Sequence, residues 1–153
     1  MPLHRLFTPK GLYTAKEKEE IAHTITDVYS VSLPAFYVIV LFIELEPGNI
    51  FVGGKSTERF LRIGVEHIAR HFSDDEQKRQ FIDRYEKALE PFTQGRGIDW
   101  EVQISDVDRV LWNMNGIAPP EANSEEEQIW KMQNRAVPRE ELEALKGSLS
   151  GLI

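Results

Sequence analysis

Polar and apolar positions along the first two thirds of the chain predict strand, helix and strand, and then the same order again. Pro2 to Phe7 reads as a short strand, and Thr8-Pro9-Lys10-Gly11 as the turn that ends it. Thr14-Ala15-Lys16-Glu17 has the form of a capping box, in which hydroxyl and carboxylate satisfy the first free amides of a helix. Ile21, Ile25, Val28, Tyr29 and Leu33 follow at helical spacing until Pro34 stops the helix. Phe36 to Ile43 is apolar without alternation, and its length and β-branched and aromatic content predict a strand buried on both faces. Glu46-Pro47-Gly48-Asn49 predicts a turn, and Ile50 to Gly54 a short extended piece ending in glycines.

The second half repeats the plan. Phe60 to Ala69 places Leu61, Ile63, Val65, His67 and Ala69 on one face of a strand, although a helix also fits that stretch. Ser73-Asp74-Asp75-Glu76 predicts a second capping box. Phe81, Ile82, Tyr85 and Leu89 follow at helical spacing, and Pro91 closes the helix. Ile98, Trp100, Val102 and Ile104 alternate with Asp99, Glu101, Gln103 and Ser105, the pattern of a half-buried strand. Thr14 and Ser73 open the two halves alike, and the same offset brings Pro2 onto Leu61. The predicted fold is therefore α/β (α+β): two βαβ units side by side in one four-stranded mixed sheet, with both helices on one face. Each crossover makes its own two strands parallel. Two helices cover one face only, whereas Phe36 to Ile43 calls for cover on both, which predicts an oligomer built around the other face.

This domain is expected over residues 1–118. Residues 119–153 differ: Pro119-Pro120, the acid-rich Glu121 to Glu127, Ile129-Trp130-Lys131-Met132, and a weakly amphipathic Arg139 to Leu149. They read as a C-terminal tail over its own or a neighbouring subunit, with Trp130 as the anchor; a lid over the functional site is the alternative.

Composition narrows the chemistry. At 153 residues with 41% hydrophobic positions and eight Phe, the chain can bury a real core. It has no Cys, which excludes disulfides, thiolate metal sites and a catalytic thiol. The four His lack the spacing of a metal motif beyond the pair His67 and His71, so neither metal nor cofactor is expected. No apolar run reaches the ~18 residues of a membrane span, and no signal peptide precedes Pro2, so a soluble cytoplasmic protein is expected. The net charge of −7 argues against nucleic acid as partner. A small anionic substrate would need locally placed cations, which makes individual Arg residues informative.

Pro2 follows Met1, and initiator removal is favoured when the second residue is small. The new terminus would be a secondary amine, titrating near pH ~8 when unperturbed and lower in an apolar pocket or beside a cation. The ring locks φ and so aims the lone pair. The plain alternative is that Pro2 is only a residue after methionine.

With an initial Pro, a doubled βαβ plan, Ile25-Thr26-Asp27 in the first helix and the segment Pro47-Gly48-Asn49-Ile50-Phe51-Val52-Gly53-Gly54, residues 2 to 116 resemble the tautomerase superfamily. More narrowly they resemble the branch of cis-3-chloroacrylic acid dehalogenase, among the relatives of 4-oxalocrotonate tautomerase. The resemblance implies a homotrimer in which the terminal proline is acid and base in keto–enol tautomerisation of a small 2-oxo carboxylic acid. Dehalogenation, hydration or decarboxylation is the alternative, as is a catalytically silent oligomer of the same fold. Position by position it brings Pro2 onto the terminal proline and Arg70 onto a carboxylate-binding Arg. His67 falls where the branch has a second Arg, Tyr29 where it has an active-site His, and Gln103 near a Tyr. The water-activating Glu of the branch would fall within Trp112-Asn113-Met114-Asn115, where there is no acid; Glu101 or Asp106 would serve only with a shifted alignment.

The expected catalytic residues are thus Pro2, Arg70, His67 and Tyr29, with Gln103, Trp112, Asn113 and Asn115 on the substrate. Each also has an ordinary reading. Arg70 can be a surface cation, His67 a histidine on an apolar strand face, Tyr29 part of a helix stripe, Gln103 a solvent-facing strand residue, and Asn113 and Asn115 turn formers before Gly116. Trp112 can wall a pocket with apolar surface. Adding water to an activated double bond needs a base that the matched position lacks. Enol-to-keto proton transfer needs only Pro2, a carboxylate-binding cation and a donor for the carbonyl, so tautomerisation is favoured.

Overall fold

The computed structural model describes residues 2–150; expectations that bear on Met1 and on Gly151-Leu152-Ile153 lie outside them. In chain order the elements are β1 (Pro2–Pro9), α1 (Ala15–Ser30), β2 (Ile39–Leu45), β3 (Phe51–Val52), β4 (Lys55–Ser56), β5 (Phe60–His67), α2 (Asp75–Leu89), β6 (Asp99–Asp106), α3 (Glu125–Gln133) and α4 (Arg139–Ser150). The main sheet has the order β2-β1-β5-β6. β1 and β2 run parallel, as do β5 and β6, while β1 and β5 join the two βαβ units antiparallel. This is the expected mixed four-stranded sheet, and β3 with β4 form a small separate hairpin.

Strand parity decides what is buried. In β5, Leu61, Ile63, Val65 and His67 are buried while their neighbours are only partly so. Leu6, Ile63 and Val102 stand side by side across three strands in the register. Against this row pack Ile21, Ile25 and Tyr29 of α1 and Phe81, Tyr85 and Leu89 of α2, which join one core cluster. The other face carries ion pairs between Arg5 and Glu66 at 2.6 Å and between Arg62 and Glu101 at 2.7 Å. Leu41 of β2 lies half exposed beside them.

Two local expectations need correction. Phe36 and Tyr37 do not begin a strand: Ala35–Tyr37 is a single 3-10 turn after Pro34, which drops Tyr37 fully into the core. β2 starts at Ile39 and is an edge strand, half-buried rather than buried on both faces. The second helix is capped by Asp74, not Ser73. The Asp74 carboxylate accepts from Gln77 N at 2.8 Å, and the Gln77 side chain accepts from Ser73 N at 2.7 Å, because Asp74 holds the extended backbone of a cap residue. The Thr14 box forms as expected, Thr14 Oγ1 accepting from Glu17 N and Glu17 Oε2 from Thr14 N.

The tail lies on its own chain. Trp130 is fully buried against Phe36 and Tyr37 and donates from Nε1 to Val137 O at 3.1 Å. Asn134 Oδ1 accepts from Phe36 N at 2.9 Å, and Lys131 Nζ donates to Val31 O at 2.9 Å. Trp130, Ile129 and Val137 belong to the same core cluster as the sheet. Among the described residues no helix is long and apolar enough to cross a membrane.

Candidate active site

The alternation of β1 turns Pro2, His4, Leu6 and Thr8 towards the helices, and all four are buried. The antiparallel register sets Pro2 opposite His67 and His4 opposite Val65. Side chains directly opposite share a face at short range, so Pro2, His4 and His67 cluster at one end of the sheet. Helices α1 and α2 close over them. The His4 ring stacks on Tyr85 at 5.6 Å, with Nδ1 2.9 Å from the Tyr85 hydroxyl, and meets Tyr29 edge-on at 5.4 Å. The His67 ring stacks on Phe72 at 4.4 Å and packs against Phe81 and Tyr29.

This cluster is polar yet held uncharged. Burial, and then the neighbouring His67, push the His4 imidazole down to about 3. Burial takes His67 down to about 4, against an opposing pull from Asp106. Burial likewise raises the Tyr29 and Tyr85 hydroxyls above the ordinary phenol range. Three of these side chains keep a buried polar atom without a hydrogen-bond partner: His4 Nε2, His67 Nδ1 and the Tyr29 hydroxyl. Buried polar atoms are almost always paired; Thr8 Oγ1, the Tyr37 hydroxyl and Trp112 Nε1 also lack a partner, but those of His4, His67 and Tyr29 sit together.

A cavity of about 300 Å³ opens between α1, α2 and the segment after β5. Tyr29, His67, Arg70, Phe72, Phe81 and Arg84 are among its walls, and none of its lining residues is an acid. The chain carries 25 Asp and Glu, so a wall that holds two Arg and no acid differs from the overall balance of charge. The size suits one small molecule.

Arg70 stands in this wall, but its guanidinium is engaged from behind by the tail. Nη1 donates to Glu127 Oε1 at 3.0 Å and Nη2 to Glu127 Oε2 at 2.7 Å. Further bonds reach Ala69 O, Ser32 O and Asn123 Oδ1. Glu127 is 1% exposed and also accepts from Asn123 N at 2.7 Å. His71 lines the cavity with Nδ1 2.7 Å from Asp106 Oδ1, and Asp106 Oδ2 accepts from Phe72 N.

Of the expected residues, Tyr29, His67 and Arg70 line this cavity. Pro2 is buried opposite His67 but is not among its walls, and the other four lie outside it. Gln103 points from the opposite face of β6 and accepts from Arg62 at 2.7 Å. Trp112 is buried edge-on to Tyr37 at 5.0 Å. Asn113 and Asn115 are exposed, and Asn115 takes a left-handed conformation in the turn that pairs Met114 with Ile117. Phe72 and Arg84 line the cavity and His4 stands in the adjoining ring cluster without having been singled out, and His71, read only as one of a spaced His pair, lines the cavity too. For His4 the signal was its parity with Pro2, and for Arg84 its helical spacing from Gln77, Gln80 and Phe81. Among the described residues no group of three or more His, Cys, Asp or Glu is placed to hold a metal ion.

Residues 1–135 match the family model Tautomerase_3, described as "Putative oxalocrotonate tautomerase enzyme". No curated protein matches the chain. Native RhCC from Rhodococcus jostii RHA1 is 36% identical, with 89% of this chain and 99% of that one covered and a TM-score of 0.86. A probable enzyme from the thermophilic fungus Aspergillus fumigatus is 40% identical, covering 90% of this chain and 97% of its own, with a TM-score of 0.85. N1, a member of the cis-3-chloroacrylic acid dehalogenase family, shares the fold at 19% identity, covering 95% and 99% of the two chains with a TM-score of 0.69. The doubled βαβ sheet, with the initial Pro at the edge of a closed polar cluster, accords with a family match that runs through both units into the tail: the chain belongs to Tautomerase_3, a family of the tautomerase superfamily.

Proposed function

We propose that the protein is an enzyme in which Pro2, freed by removal of Met1, moves a proton in the keto–enol tautomerisation of a small 2-oxo carboxylic acid. One observation carries this: Pro2 is buried beside His67 and His4, in a neutral cluster with unpartnered polar atoms, next to a cavity whose walls hold cations and no acid. Apolar surroundings lower the affinity of an amine for its proton, bringing a proline nitrogen towards neutrality. In the enol-to-keto direction the enol O–H gives up one proton and carbon 3 gains one; the amine can carry it. In this reading the Tyr29 hydroxyl and the neutral His67 ring steady the oxygen on which charge develops. Arg70 adds positive potential to the wall while Glu127 holds its fork. We further propose a trimer that uses the open sheet face around Leu41.

The test begins with intact mass, which reports whether Pro2 is the terminus. Loss of the enol of phenylpyruvate is then followed in the ultraviolet for wild type and Pro2→Ala. The expected result is a fall of at least about a hundredfold, the usual scale for a lost acid/base group. Equal rates in the two proteins overturn the proposal.

A second reading, addition of water to an unsaturated acid as in dehalogenation, is favoured by one contact. His71 reaches the cavity with Asp106 on its other nitrogen at 2.7 Å, a pairing that makes imidazole a base for water. Chloride release from cis-3-chloroacrylate that His71→Ala abolishes is the result that supports it.

A further inference from the structure

The cavity's second arginine has the properties that Arg70 lacks. The two terminal nitrogens of a guanidinium carry four N–H groups. Those of Arg70 make five contacts, to Glu127 twice and to Ala69, Ser32 and Asn123. A substrate carboxylate would have to evict Glu127 from a bidentate pair in which that acid is 1% exposed.

Arg84 is different. Gln77, Gln80, Phe81 and Arg84 fall three, four and seven positions apart on α2, one stripe of a helix, and all four line the cavity. The Arg84 guanidinium lies over the Phe81 ring at 5.3 Å. Among the described residues it makes no hydrogen bond or ion pair. Its neighbour Arg79, turned to another face of α2, pairs with Asp83. Stacking on an aromatic face holds the guanidinium plane while leaving its edge open, and that edge matches a carboxylate with two parallel N–H···O bonds.

We infer that Arg84 binds the carboxylate of the ligand, setting a preference for small monocarboxylic acids whose carbon skeleton lies against Phe81 and Phe72 and whose further oxygen meets Tyr29 and His67. Arg84 and Tyr29 line the same cavity of about 300 Å³, which puts both within reach of one small molecule. The inference rests on the proposed function only in taking this cavity as the substrate's.

Binding without turnover separates the two. Phenylacetate and its neutral amide, phenylacetamide, are titrated calorimetrically into wild type, Arg84→Ala, Arg84→Lys and Arg79→Ala, with thermal melts confirming that each is folded. Wild type is expected to prefer the acid. Arg84→Ala should weaken phenylacetate by about tenfold or more, the scale of a lost charge-assisted bond, and leave phenylacetamide unmoved. Arg84→Lys should keep part of the preference, and Arg79→Ala all of it. The inference is overturned if wild type shows no saturable binding of phenylacetate, if Arg84→Ala keeps the acid-over-amide ratio, or if Arg79→Ala lowers it equally. Equal phenylpyruvate turnover in wild type and Pro2→Ala would overturn the proton-transfer proposal and leave the binding result standing.

Discussion

Acidification should strip stability from this protein through two buried histidines. His4 and His67 have native values near 3 and 4 against an ordinary 6.5. Both are depressed, so below pH 6.5 the unfolded chain takes up protons that the native state refuses, and stability falls as pH drops. The loss levels off once the pH passes each native value. At about pH 4.5, two units below the ordinary value, each imidazole contributes a loss on the order of 2–3 kcal/mol, and the two act on each other, since the neighbouring His67 is one cause of the His4 depression. Each loss compares with roughly 5–15 kcal/mol for a whole domain. Urea unfolding of wild type and His67→Phe at about pH 7.5 and about pH 4.5 measures the His67 share. Phe fits the site, since His67 already sits between Phe72 and Phe81. The variant should lose less stability on acidification than wild type, by about 2–3 kcal/mol. An identical loss in both proteins would show that His67 protonates in the native state at no cost, and the picture of a neutral cluster would fail.

Glu127→Ala leaves the Arg70 guanidinium without its bidentate partner and should cost about 3–5 kcal/mol, whereas Arg70→Met with Glu127→Leu should be much nearer neutral; a urea series on the three proteins decides, and a single-variant loss below about 1 kcal/mol would mean that the pair does not hold the tail. Trp130→Ala empties a site that is 0% exposed and should cost about 3–5 kcal/mol. A thermal midpoint unchanged from wild type would show that the tail contributes nothing to the stability of the sheet domain.

Much of the frame could be read from the chain because it depends on neighbours in sequence. The alternation of β6, the Thr14 box and the Phe81, Tyr85, Leu89 stripe each bury or cap by local geometry. The initial Pro and the Pro47 to Gly54 segment carried the family. Errors arose where two local readings competed: Ser73 and Asp74 can both cap, and only the backbone at Asp74 chose between them. Phe36 and Tyr37 have strand propensity, yet the turn after Pro34 and a core vacancy for Tyr37 prevailed. The site itself was legible only in part. Parity placed Pro2 and His67 on a common face, but that they stand directly opposite is a fact of antiparallel pairing between β1 and β5. Nothing near Arg70 in sequence announces that Glu127 takes its fork, or that Arg84, in the same cavity wall, makes no ion pair among the described residues. Periodicity reports which residues share a face; which charge meets which is decided when distant segments fold together, because a guanidinium binds whatever carboxylate the packed chain brings within about 3 Å of it.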